Sequence, residues 1–212
     1  MIQKFLFRPL NTWSINQGFG ENKACYDPLT NKVVSKVPFT DEASCPAGYK
    51  SVYSNMKGHN GLDVDAYRWQ EVYASHSGIV TEVQTEVARG LGVGITTDKK
   101  WYCQETGKPE LFKSRYWHFI ALDVYMGEKI TVGDLIGYAD STGYSSGDHL
   151  HFELKVVDEF GENRLQGNGY FGAVDPTPYM EPIFAVEFAG LYRQVKELIA
   201  KMAGIIADRL RK

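Results

Sequence analysis

Cysteine is scarce in this chain. Its 212 residues hold three, Cys25, Cys45 and Cys103, and none of them forms the C-x2-C spacing on which thiolate metal sites are built. A sulfur-held structural zinc is therefore not expected. The odd count and the lack of a signal favour free thiols, with a Cys25–Cys45 pair in an oxidising compartment as the open alternative. Cationic runs are missing too. The formal net charge is −3, which leaves no electrostatic footprint for nucleic acid. No stretch stays apolar for the ~20 residues that span a bilayer, so no transmembrane segment is expected. The opening MIQKFLFRPL has too short an apolar part, interrupted by Arg8 and Pro9, to read as a secretory signal peptide. Histidine is also rare, with five in all, so the places where it occurs carry weight.

Two of the five stand in STGYSSGDHLHFE, residues 141–153. His149 and His151 sit at i and i+2 in a run that reads as a strand, which points both to one face and sends Leu150 and Phe152 to the other. Neighbouring imidazoles suit a divalent metal when neutral. A third histidine lies far upstream in KGHNGLDVDA, residues 57–66, where His59 and Asp63 are four apart and Gly61 lets the backbone turn. That pair plus one histidine of the H-x-H strand makes three N/O ligands, the number a catalytic zinc site uses while it keeps a fourth position open. Histidines would not be recruited to an all-oxygen calcium or magnesium site. Between the clusters runs RYWHF, residues 115–119. There His118 is either a core histidine or, beside a metal site, a group for proton transfer or oxyanion stabilisation.

The ordered series HNGLD, RYWHF, STGYSSGDHLHFE resembles the lysostaphin-type, or LytM-like, zinc endopeptidases of peptidoglycan, whose pattern is H-x-G-x-D, Y-x-H, then S-T-G-x-S-x-G-x-H-L-H-F-E. The likeness runs from about Asn16 to Tyr179 and takes in GFGEN, VYASHSGIV, GEKITVGDLIGYADSTG and VDPTPYM. The resemblance implies Zn²⁺ held by His59, Asp63 and His151, with His118 and His149 as the catalytic, transition-state-stabilising pair. It also implies hydrolysis of stem or cross-bridge peptides of the bacterial cell wall. A stem-peptide carboxypeptidase and a non-catalytic binding module on the same fold are the alternatives. Without a signal, a wall-cutting enzyme needs another route outward, and a bacteriophage origin, in the particle or by release from the host, supplies one.

Short Val, Ile and Tyr runs bounded by Gly, Asp and Asn predict a mainly β domain with an antiparallel sheet or sandwich. Strands are expected over 72–83, 92–97, 114–119, 129–132, 135–139 and 150–157. The peptidase domain is expected over 1–180, with insertions at about 23–57 and 98–113 that either wall the substrate groove or are tolerated surface loops. Asp148 stands where the family usually has proline, beside His149. The tail, 181–212, carries Phe184, Phe188, Leu191, Val195, Leu198, Met202 and Ile205 at alternating spacings of four and three. This is a helical heptad, and the stripe packs on its own domain, self-associates or docks to a larger assembly, or lies on a membrane. The G-x-G-x-G of Gly90–Gly94 lacks the helix a dinucleotide site needs. Asp65 shares a strand face with Asp63 and is a candidate neighbour of the metal. His76 is expected to be exposed at a turn, and Ser141 and Ser145 have no acid–histidine order for a serine nucleophile.

Overall fold

Alternating apolar residues along the strand His149–Val157 put Leu150, Phe152, Leu154 and Val156 into a dry core. That strand sits near the middle of an 11-stranded sheet. The computed structural model describes residues 3–21, 24–27, 29–30, 33–35, 50–51 and 56–210. The main path of the sheet runs Lys129–Ile130, Gly78–Glu86, Gly90–Thr97, Lys108–Leu122, His149–Val157, Leu62–Asp65, Ile15–Gln17, and every pair along it is antiparallel. Core side chains from neighbouring strands, among them Leu62, Val64, Val93, Ile95 and Tyr116, are fully or almost fully buried on one side. The mainly β expectation holds.

Several local expectations do not. Residues 72–83 are not one strand; Glu71–Tyr73 and Gly78–Glu86 are separate and pair with different partners. Residues 98–113 hold paired strand where an irregular insertion was expected. Trp101–Cys103 turns back on Lys108–Glu110 as a hairpin that extends the long strand, and Trp101 stacks on Phe5 with ring centroids 4.8 Å apart. Gln104 N–H donates to the Tyr179 hydroxyl, so the hairpin closes the end of the sheet remote from His151. Within 23–57, Ala24–Tyr26, Val33–Ser35 and Lys50–Ser51 form a small sheet of their own; Cys45 falls outside the described residues. Cys25 is disulfide-bonded, against the free-thiol expectation, while Cys103 is free and buried.

His76 is buried rather than exposed. Its Nδ1–H donates to Ser77 O at 3.0 Å, and its Nε2 accepts from Ser114 Oγ at 2.8 Å. Burial pushes its pKa down to about 4, so the folded chain holds it neutral while the unfolded chain protonates it near 6.5. The unfolded state then binds more protons in this window, and stability present above pH 6.5 is lost as the pH falls towards 4, on the order of 3 kcal/mol for the full shift. Urea midpoints measured across that range should drop in the wild type and fall less steeply in His76→Asn. Parallel slopes would mean that His76 is not the source.

At the end of the chain, Met180–Phe184 pairs in parallel with Leu6–Arg8, and a helix, α1, runs Ala185–Leu210. Its first turns are anchored where Phe188 stacks on Phe7, with centroids 4.1 Å apart. Beyond that contact the apolar stripe is uncovered as far as Met202. Leu191, Val195, Leu198, Ile199 and Met202 are each more than half exposed, so self-packing accounts only for its start. Among the described residues no helix is long and apolar enough to cross a membrane.

Candidate metal centre

Strand register builds the site. His151 lies opposite Asp63, and His149 opposite Asp65, across the antiparallel pair of His149–Val157 with Leu62–Asp65. Directly paired residues share a face, so Asp63, His149 and His151 emerge on the side away from the core. His59 stands just before the second of these strands. The segment 18–21 clasps it, as His59 N–H donates to Glu21 O and Gly20 N–H donates to His59 O, each at 2.7 Å. Gly61 is required here for space and not for a turn. It is absent from the residues with positive φ, and a Cβ on it would lie 2.6 Å from Phe152 O and 2.9 Å from His151 Cε1.

His118 reaches the same face by a different device. In a regular strand it would share the core side with Tyr116. The pairing of Lys108–Leu122 with Gly90–Thr97 slips between Tyr116 and Phe119, a bulge that inserts one extra residue. His118 takes φ +68° there, a left-handed conformation that costs a non-glycine residue of order 1–3 kcal/mol and persists where surrounding structure enforces it. Tyr116 and Phe119 both stay in the core, while the His118 ring lies 4.4 Å from that of His149 and 6.1 Å from that of His151.

Three ligand atoms converge. His59 Nε2 is 2.9 Å from His151 Nδ1, and Asp63 Oδ1 is 2.8 Å from His151 Nδ1 and 3.1 Å from His59 Nε2. Each histidine's other nitrogen is engaged from behind. His59 Nδ1 is 3.2 Å from Gly18 O, His118 Nδ1 2.6 Å from Thr142 O, His149 Nδ1 2.8 Å from Gly147 O, and His151 Nε2 3.3 Å from Glu153 Oε1. These acceptors hold the protons on the outer nitrogens, which assigns lone pairs to the inner ones. Two imidazole lone pairs and a carboxylate oxygen at about 3 Å repel unless a cation lies between them. This donor set, two nitrogens and an oxygen with no sulfur, fits a divalent metal of the zinc kind.

The electrostatics agree with the geometry. Burial opposes ionisation of Asp63, yet His59 and His151 hold its carboxyl well below the usual carboxylate range. Burial alone would lower the pKa of His151, but contacts with Asp63 and Glu153 raise it to about 9; the two carboxylates favour a positive charge at this centre, which a proton on Nδ1 supplies and a metal ion would replace. His118 goes the other way. Burial first, then the nearby His149 and His151, push it down to about 3, so it is a neutral imidazole. Burial also opposes ionisation of Glu153, but His151, Arg115 and Arg89 hold it well below its usual range.

All five residues singled out in the sequence thus come together: His59, Asp63 and His151 as the candidate metal group, with His118 and His149 alongside. Asp65 shares that face, opposite His149, but its carboxylate accepts from Asn16 Nδ2 and is not one of the converging ligand atoms. Four further residues contribute without having been singled out in the sequence. Glu153 lies two residues beyond His151 on the same face, so the alternation that joins the two histidines also reaches it. Arg115 is paired opposite Glu153, in the quoted RYWHF. The carbonyls of Thr142 and Gly147 carry no side-chain signal, although the small residues of STGYSSG permit the close loop: a Cβ on Gly143, whose φ is +82°, would meet Gly90 N at 2.4 Å.

Comparison with known proteins places these residues in context. The model for Peptidase family M23 matches residues 57–162. Glycyl-glycine endopeptidase ALE-1 of Staphylococcus capitis is 33% identical over 66 residues, 31% of this chain and 16% of its own length. The DD-carboxypeptidase/endopeptidase Mpg of Neisseria meningitidis serogroup B is 28% identical over 164 residues, 76% of this chain and 34% of its own length. The chain thus spans about a third or less of these relatives. Among solved structures, the catalytic domain of lysostaphin from Staphylococcus simulans superposes with a TM-score of 0.51 at 22% identity, covering 80% of this chain and 92% of that one. A zinc-containing peptidase from Vibrio cholerae gives a TM-score of 0.51 at 22% identity over 86% of this chain and 41% of its own. Both share the fold.

Proposed function

The chain belongs to Peptidase family M23, and from that premise we propose that it is a zinc-dependent endopeptidase cutting peptide cross-links of bacterial peptidoglycan. The observation that carries this reading is the convergence of His59 Nε2, Asp63 Oδ1 and His151 Nδ1 beside two further histidines. His59, Asp63 and His151 would hold the metal. A bound zinc ion would supply Lewis acidity, polarising the scissile carbonyl and making water nucleophilic near neutral pH. His118 and His149 each turn Nε2 inward, with Nδ1 spent on a carbonyl. In that state each nitrogen orients water by accepting a hydrogen bond from it. Once protonated, the same nitrogen donates to the developing oxyanion or to the leaving amine. The relatives' names support the reading: both include endopeptidase action, the Neisseria protein carboxypeptidase action as well, and a Vibrio cholerae relative 24% identical over 162 residues is named a peptidoglycan DD-endopeptidase.

Purified protein should carry close to one zinc per chain by elemental analysis. Incubated with peptidoglycan from several species, it should create new amino termini at cross-links, read by mass spectrometry. Release of terminal residues alone would identify a carboxypeptidase instead, and no new termini from any wall would remove the enzymatic reading.

The uncovered stripe of α1 supports self-association or docking to a larger assembly. Removing residues 193–212 keeps the Phe188 anchor and should convert an oligomer into a monomer of unchanged melting temperature. Sedimentation velocity on both lengths gives the answer. A full chain that is already monomeric, and that floats with anionic vesicles, would point to a membrane surface.

A further inference from the structure

Glu153 is among the most deeply buried charges in the molecule, with no exposed surface, and the catalytic scheme above does not use it. Its alternate position after His149 and His151 puts it on the metal face, directly opposite Arg115, while Trp117 lies opposite His151. Every oxygen is occupied. Oε1 is 3.3 Å from His151 Nε2 and accepts from Asn60 Nδ2 at 2.7 Å, with Arg89 Nε at 3.3 Å. Oε2 accepts from Arg115 Nη1 at 2.8 Å and lies 3.8 Å from Lys155 Nζ. Arg115 is pinned in turn by Glu82, which accepts from its Nε at 2.8 Å and its Nη2 at 2.6 Å. An isolated buried carboxylate is costly. This one is closed into a network that ends on the ring of His151.

A carboxylate between two guanidinium groups can only accept hydrogen bonds. Facing His151 Nε2, it requires the proton on that nitrogen and leaves the lone pair on Nδ1, the atom aimed at Asp63 and His59. In the opposite tautomer an N–H would occupy the shared centre, and a lone pair would face a carboxylate. We propose that Glu153 is a positioning residue: it sets the tautomer and ring orientation of His151, and with them the affinity of the site for zinc. Arg115 and Asn60 hold its carboxylate in place. This inference rests on the metal reading of His59, Asp63 and His151. It also separates two jobs within one strand, since His149 is oriented by a backbone carbonyl and His151 by a charge.

The test uses the full chain with Glu153→Gln and Glu153→Ala. Three quantities are measured: the zinc dissociation constant by competition with a chromogenic chelator, the visible spectrum after Co²⁺ substitution, and the unfolding midpoint of the metal-free protein. Loss of a carboxylate behind a ligating histidine costs about 10–100-fold in metal affinity. Glu153→Ala should weaken zinc binding within that range and shift the cobalt bands. Glu153→Gln, whose side-chain oxygen still accepts from Nε2–H, should recover part of the affinity, and it carries the test by itself if the alanine variant does not fold. Wild-type zinc affinity and an unchanged cobalt spectrum in Glu153→Gln, whatever its unfolding midpoint, would reduce Glu153 to a structural ion pair and overturn the proposal while leaving the metal site intact. Failure of the unsubstituted chain to bind zinc would overturn both together.

Discussion

His151→Ala should lose zinc and activity together, whereas His149→Ala, only two residues away, should keep the metal and lose the rate. His151 Nδ1 lies within 2.9 Å of the two other candidate ligand atoms, so removing it leaves one nitrogen and one oxygen, too few to hold zinc tightly. His149 Nε2 is 3.6 Å from Asp63 Oδ1 and its ring packs on that of His118, which places it beside the ligand group. Removing one donor to a developing oxyanion costs roughly 10²–10³ in other hydrolases. That is the fall expected for His149→Ala and for His118→Ala with zinc content unchanged. If both act on one transition state, the double variant should lose less than the product of the two losses. Metal content by elemental analysis, with turnover on purified cross-linked muropeptides, reads every combination. If His149→Ala loses zinc while His151→Ala retains it, the roles are exchanged; if both keep zinc and rate, this strand is not the active centre.

Gly61→Ala should damage folding and metal binding together. Its new Cβ would sit 2.6 Å from the carbonyl oxygen of Phe152 and 2.9 Å from Cε1 of His151. The first of these is backbone in the middle of a sheet and cannot swing aside. Relief requires the two strands to separate where Leu62 pairs with Phe152 and Asp63 with His151. Overpacking of this kind costs about 1–3 kcal/mol or more, and in a chain of this size each 1 kcal/mol lowers the melting temperature by roughly 2–4 °C. Because some of the displaced atoms belong to His151, a proposed ligand, zinc affinity should fall with stability. Gly167→Ala is the control, since nothing lies within 4 Å of its Cβ and it should melt like the wild type. A Gly61→Ala protein with unchanged melting and metal affinity would show that the strands yield without cost.

Periodicity was readable without coordinates because it is local. Two-residue alternation placed His149 and His151 on one face and Leu150 and Phe152 in the core, since neighbouring side chains on any strand must point oppositely. The four–three spacing of the tail dictated a helix with an apolar stripe for the same reason. Ordered motifs identified which distant segments would be brought together, and the mainly β architecture followed from short branched and aromatic runs.

Facts that depend on a second segment were not available in this way. The face on which His118 emerges depends on a bulge, and a bulge is a mismatch between two strands rather than a property of RYWHF. The need for glycine at position 61 looked like a turn because glycine permits turns; the neighbouring strand that leaves no room for a methyl is 91 residues away in sequence, at Phe152. His76 appeared exposed because its own neighbours are turn residues, but its partner is Ser114 and its cover is the sheet. Glu153 stood in plain view within HLHFE. Its contact with His151 follows from alternation, whereas its charge partners, Arg115 on the neighbouring strand and Arg89 in the turn between Gly78–Glu86 and Gly90–Thr97, arrive from elsewhere in the sequence and convert an ordinary exposed-looking carboxylate into a buried one. Alternation and heptads are set by backbone geometry within a few residues, while burial, close approach and charge pairing are set by whichever segment the fold lays alongside.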